Sequence, residues 1–134
     1  MKKLMLLLLF SCISIAVSFA QSGSIPSGDQ VGSYSVSSRT GTVWGSLYNQ
    51  STQYIIKSSS TLTLYYSHYQ YQPVEWKLRS GAPTGTIIRE ISYDKKKITV
   101  DVGASTYGWV VLDLALKAAD GKTTNLYFYF NVKE

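Results

Sequence analysis

The chain has 134 residues, of which 13 are Lys or Arg and 8 are Asp or Glu, giving a formal charge of +5 with 45% hydrophobic residues. One cysteine, Cys12, excludes an internal disulfide framework, and one histidine, His68, leaves no set of partners for Ser-His-Asp or Cys-His catalysis. The basic excess is too small to argue for nucleic acid as a partner.

Met1-Lys2-Lys3, the apolar run Leu4 to Val17 and the small residues of Ser18-Phe19-Ala20 have the layout of a secretory signal peptide over residues 1–20. Its apolar part is too short to span a membrane. The expected location is therefore outside the cytoplasm, periplasmic or secreted, in a bacterial host. Lipidation at Cys12 is the less favoured alternative, because Phe10 fits the acylation box poorly and another apolar stretch would follow. Cleavage after Ala20 leaves 114 residues, enough for one domain, with 11 basic against 8 acidic residues and no thiol.

Residues 21–32, rich in Ser and Gly, read as a flexible leader, and the domain is expected over residues 33–134. Alternating runs follow. Ser33–Ser37 places Tyr34 and Val36 on one face. Thr42–Tyr48 places Val43, Gly45 and Leu47 on one side and Trp44, Ser46 and Tyr48 on the other, after a turn at Arg39-Thr40-Gly41. Gln53–Lys57 is a short strand. Thr61–Ser67 buries Leu62, Leu64 and Tyr66 and exposes Thr61, Thr63 and Tyr65. Val74–Arg79 turns Val74, Trp76 and Leu78 inward and Glu75, Lys77 and Arg79 outward. Thr86–Ser92 carries charges suited to a sheet edge, and Ile98–Val102 buries Ile98, Val100 and Val102.

The closing stretch is the most legible. Val110, Leu112, Leu114 and Leu116 alternate on one strand, and Leu126, Phe128, Phe130 and Val132 on the next. A two-residue turn at Asp120-Gly121 would set the apolar set of one strand against the polar set of the other. A three-residue loop, Ala119-Asp120-Gly121, with Gly121 in the left-handed region of a G1 bulge, aligns Leu116 with Thr124, Leu114 with Leu126, Leu112 with Phe128 and Val110 with Phe130. No 3.6-residue periodicity appears after the signal peptide. The expected class is all-β, an antiparallel two-sheet sandwich.

Leu62 and Leu64, Trp76, then Ile98, Val100 and Val102, and finally the Asp120-Gly121 turn give residues 61–132 an order that resembles the immunoglobulin-like, PKD-type β-sandwich modules of secreted bacterial proteins. Two departures stand out: Trp76 has no cystine to pack on, and Val110 occupies a position where such modules often place a tyrosine. The resemblance implies the third strand beside the penultimate one, followed by the last. It implies no activity by itself.

In that arrangement the solvent side of one sheet carries Glu75, Lys77 and Arg79, then Trp109, Val111 and Asp113, then Tyr127, Tyr129 and Asn131. Exposed Trp and Tyr offer contact area with hydrogen-bonding tips, so Trp109, Tyr127, Tyr129, Asp113, Glu75 and Lys77 form the candidate ligand-binding set. A loop with His68, Tyr69 and Tyr71 is a secondary candidate, against the plainer reading of a partly exposed connecting loop. The Asp residues are scattered singly, so no metal and no cofactor are expected. The expected function is a non-catalytic binding or accessory module whose partner is an envelope or extracellular protein. A carbohydrate-binding module using the aromatic face and a self-assembling structural domain are the alternatives.

Overall fold

The computed structural model describes residues 25–50 and 53–134. The expected signal peptide over residues 1–20, Cys12 and the first residues of the expected leader lie outside the described residues. Nine strands follow one another: β1 (Gln30–Ser38), β2 (Gly41–Tyr48), β3 (Gln53–Lys57), β4 (Thr61–Tyr66), β5 (Tyr71–Leu78), β6 (Ile87–Ile91), β7 (Lys97–Asp101), β8 (Tyr107–Ala118) and β9 (Thr123–Lys133). The described residues contain no helix, and so none long and apolar enough to cross a membrane.

The strands form two sheets, one of order β2-β1-β4-β7-β6 and one of order β3-β9-β8-β5. All pairings are antiparallel except that of β3 with β9. Strands β1-β4-β7-β6 face β5-β8-β9 as the two sheets of an immunoglobulin-like sandwich do. The N-terminal hairpin adds β2 to the edge of one sheet, and β3 extends the other.

The β8–β9 hairpin has the expected register, with Leu116 opposite Thr124, Leu114 opposite Leu126, Leu112 opposite Phe128 and Val110 opposite Phe130. Gly121 has φ +89°. The Gly121 N–H donates to the Ala118 carbonyl (3.0 Å) and the Ala118 N–H to that of Lys122 (2.8 Å), closing the three-residue loop. The even-numbered apolar residues of both strands are buried, join Trp76 of the neighbouring β5, and share one core with Leu62, Leu64, Ile98 and Val100 of the other sheet. The Trp76 indole N–H is satisfied by the Lys95 carbonyl at 2.7 Å.

Several expectations need correction. Val74 is 41% exposed rather than inward, because a bulge between Pro73 and Glu75 adds a residue and turns Pro73 to the core in its place. Tyr71 is not a loop residue: it opens β5 and is buried. Thr63 points outward but is buried, as is Ser35, since these short side chains sit in mid-sheet beside the larger rings of Trp44 and Tyr65. Residues 25–32, expected as part of a flexible leader, belong to the sandwich. Ile25 joins the core, Val31 is fully buried in β1, and the Asn49 side-chain amide donates to the Ile25 carbonyl at 2.6 Å.

Two tyrosines tie sheet to sheet at opposite edges. The Tyr66 hydroxyl of β4 donates to the Tyr71 carbonyl of β5 (2.9 Å), and the Tyr54 hydroxyl of β3 accepts from the Tyr48 N–H of β2 (3.0 Å). Tyr54 also stacks on Phe130 at 5.2 Å, with Tyr34 edge-on to both rings. Gly45 makes room for this cluster, because a Cβ there would lie 2.5 Å from the Tyr34 ring.

Candidate functional site

The outward face of the four-stranded sheet is set by the hairpin register. Asp113 lies opposite Tyr127 on one side and Lys77 on the other, Val111 opposite Tyr129, Trp109 opposite Asn131, and Ala115 opposite Glu75 and Asn125. Tyr129 is followed by Gln53 and Asn131 by Ile55 on β3. Every residue of the sequence-derived set except those of the His68 loop therefore shares this face.

Its centre is an ion pair lying on aromatic rings. Arg79, just past the end of β5, is anchored by its own N–H to the Val111 carbonyl (3.0 Å). Its Nε donates to Asp113 Oδ2 at 3.2 Å, and the guanidinium lies 5.0 Å from the Tyr127 ring centroid and 5.9 Å from that of Tyr129. The Asp113 hydrogen bond raises the Arg79 pKa above its ordinary value, with a smaller contribution from Tyr129. Nε is as near to Asp113 Oδ1, at 3.1 Å, but the hydrogen-bond geometry favours Oδ2. Oδ1 is shut off from water and receives no hydrogen bond among the described residues.

Beside this cluster is a shallow open depression of about 220 Å³ lined by Glu75, Lys77, Asp113, Ala115, Asn125 and Tyr127. Glu75 and Lys77 face each other at 3.4 Å but are both exposed, so their pairing contributes little. A second depression, of about 540 Å³, adjoins Asn125, Tyr127 and Tyr129 and is bounded by Ile25, Pro26, Asn49 and Gln50. It fronts an open stretch of β9. Lys133 gives its carbonyl to Ser58 N–H beyond β3, whereas that of Lys122 turns to β8, so odd-numbered residues of β9 point away from β8. β3 pairs only with residues 129–133. Among the described residues nothing pairs with the outward backbone groups of Thr123 and Asn125.

Exposure is uneven across the set. Tyr127 is 44% exposed, whereas Trp109 and Tyr129 are half-buried. The secondary candidate does not converge at all. Tyr71 packs in the core, Tyr69 is exposed and stacks on His68 at 5.1 Å, and the His68 side chain is only 6% exposed. The Gln70 N–H reaches His68 Nδ1 at 3.4 Å, and Nε2 lies 3.3 Å from Asp29 Oδ2. This histidine fastens the N-terminal segment to the β4–β5 loop. Among the described residues no group of His, Cys, Asp and Glu is arranged to hold a metal ion.

Sequence reasoning missed a cluster on the opposite sheet. Trp44 of β2, 65% exposed, lies parallel to Tyr65 of β4 at 6.1 Å, and Lys97 Nζ stands 5.7 Å from the Tyr65 centroid. Alternation places each ring outward correctly. What local pattern does not show is that β1, with the small Ser33 and Ser35 between the strands, brings them together.

No protein-family model matches this chain, and no curated protein or solved structure is significantly similar to it.

Proposed function

We propose that this protein is an exported, non-catalytic binding module of the PKD-like kind that engages an envelope or extracellular protein through the outward face of β5, β8 and β9. The observation that carries this reading is the Arg79–Asp113 pair seated on Tyr127 and Tyr129. Arg and Tyr dominate the energetics of protein interfaces because each combines a large, stiff contact area with hydrogen-bonding capacity. Here Asp113 holds the guanidinium, and the Val111 carbonyl holds the Arg79 backbone, before any partner arrives, which reduces the entropy lost on binding. Glu75, Lys77, Asn125 and Asn131 supply a polar rim.

A glycan is served less well by the same face. Sugar rings stack on open aromatic planes, but Arg79 overlies both tyrosines and Trp109 is half-buried.

The test is affinity capture from the envelope of the source organism with wild type, Arg79→Ala and Tyr127→Ala. The expected result is a specific protein recovered by wild type and lost by both variants, with thermal midpoints nearly unchanged. Equal recovery by all three would remove the proposal.

A further inference from the structure

Sheet edges expose rows of unpaired backbone groups, and stable monomers protect them with charges, prolines, bulges or short length. Among the described residues three of the four edge strands carry such devices, although β3 leaves the start of β9 open. β5 carries Pro73, a bulge, Glu75 and Lys77; β6 carries Arg89, Glu90 and a bulge between Ile88 and Glu90; β3 has only five residues and ends in Lys57.

β2 itself has none of these devices; the one irregularity in its pairing, between Gln30 and Gly32, lies on β1 opposite Tyr48 and Leu47. Its eight residues, Gly41-Thr42-Val43-Trp44-Gly45-Ser46-Leu47-Tyr48, contain no charge and no proline, and Val43 and Trp44 are each 65% exposed.

The hairpin fixes which backbone groups are free. Ser38 pairs with Gly41 across the two-residue turn, followed by Ser37 with Thr42, Val36 with Val43, Ser35 with Trp44 and Tyr34 with Gly45. The pair flanking a two-residue turn is hydrogen-bonded, and such pairs recur at every second position. Gly41, Val43 and Gly45 therefore bond to β1, while Thr42, Trp44 and Ser46 direct their N–H and C=O groups away from the sheet. Tyr48 continues the alternation, and its outward N–H is satisfied within the molecule by the Tyr54 hydroxyl. Among the described residues the outward backbone groups of Thr42, Trp44 and Ser46 have no partner.

We propose that this edge pairs with the same edge of a second copy, antiparallel about a two-fold axis at Trp44. Two-fold symmetry is the commonest form of self-association and requires a self-complementary patch. Centring the axis on Trp44 sets Thr42 opposite the partner's Ser46 and the two Trp44 residues opposite each other, so that every outward N–H and C=O of the three residues is paired. Each Trp44 ring already rests on Tyr65 of its own subunit, which orders it for a cross-strand aromatic contact. Like charges do not meet: the nearest charged residue, Arg39, falls beside the partner's Asn49. The two five-stranded sheets become one continuous sheet, and the Arg79 face of each copy stays uncovered. Two copies of that face on one particle would strengthen capture of a repeated or clustered partner without any new contact.

The test measures mass by light scattering and sedimentation from roughly 1 µM to 1 mM, the range that separates weak homodimers from monomers. Wild type is compared with Trp44→Lys, which places a cation on the edge, and with Arg79→Ala on the opposite sheet. The expected result is a monomer–dimer equilibrium whose dissociation constant rises roughly tenfold or more in Trp44→Lys and is unchanged in Arg79→Ala. Amide exchange adds a second readout, since Trp44 and Ser46 should gain protection as wild type is concentrated. A wild type that stays monomeric throughout overturns the proposal, as does a dimer indifferent to Trp44→Lys with no added protection at those amides. Neither outcome bears on the Arg79 face, which is tested by capture.

Discussion

On the four-stranded sheet the outward positions hold Glu75, Lys77, Asp113, Tyr127, Tyr129 and Asn131, and Arg79 lies over two of the rings. On the five-stranded sheet the equivalent positions hold Ser33, Ser35, Ser37, Thr61, Thr63 and Thr99, with the Trp44–Tyr65 pair near the free edge and Lys97 and Asp101 on β7. The two surfaces cover one core and follow the same period of two, yet they are finished differently. The first joins opposite charges to aromatic planes across neighbouring strands, which suits a face-on contact with a partner of mixed polarity. The second is a bed of short hydroxyls across β1 and β4, with Lys97 and the Arg89–Asp101 pair gathered toward β7 and β6, which leaves the rim at β2 uncharged. Outward alternation alone therefore does not define a binding face; cross-strand neighbours and edge protection do.

The largest effect on this comparison should come from removing what both faces share. Phe128→Ala opens a cavity in the middle of the core and is expected to cost about 3–5 kcal/mol, read as a fall in the chemical-denaturation midpoint. Both capture and self-association should then fail together. Gly45→Val would separate the sheets. Its Cβ would meet the Tyr34 ring at 2.5 Å, so overpacking of about 1–3 kcal/mol is expected. Faster amide exchange should be confined to β1, β2 and the Tyr54 contact, with capture through the Arg79 face retained.

Gly121→Ala should cost about 1 kcal/mol. Space around Gly121 is open, so the cost is that of a side chain at positive φ, and the loss should appear as weaker amide protection at the β8–β9 turn.

Alkaline pH probes the tyrosines that link the sheets. Burial raises the pKa values of Tyr34, Tyr54 and Tyr66 above the usual value of 10. The folded state therefore keeps protons that the unfolded chain releases, and the stability held below pH 10 declines as pH rises above it. Stability measured between about pH 9 and 11 should fall less steeply in Tyr66→Phe than in wild type, from a lower starting value because the bond to the Tyr71 carbonyl is gone. The smallest effect on stability is expected for Arg79→Ala, where thermal melting should shift little while capture is lost.

Much of this architecture was legible in advance. Strand positions, the β8–β9 register and the bulge at Gly121 follow from alternating side chains and from the turn chemistry of Asp120-Gly121. The candidate face was legible to the extent that outward positions on paired strands could be aligned. What escaped was the bulge that replaces Val74 by Pro73, the burial of Tyr71 in the core, the anchoring of His68 by Asp29, and the meeting of Trp44 with Tyr65. Each depends on contacts between segments separated in the chain, and none leaves a periodic trace.

The sequence by itself determined an all-β sandwich with its even-numbered apolar residues inside the final hairpin, because period-two burial and a left-handed glycine act over a few neighbouring residues. Only the tertiary structure decided which strands are edges, that Arg79 closes over Tyr127 and Tyr129, and that β2 is an edge strand without charge or proline. Those properties belong to the order in which strands lie side by side, and side-by-side order is set by packing both sheets around one core.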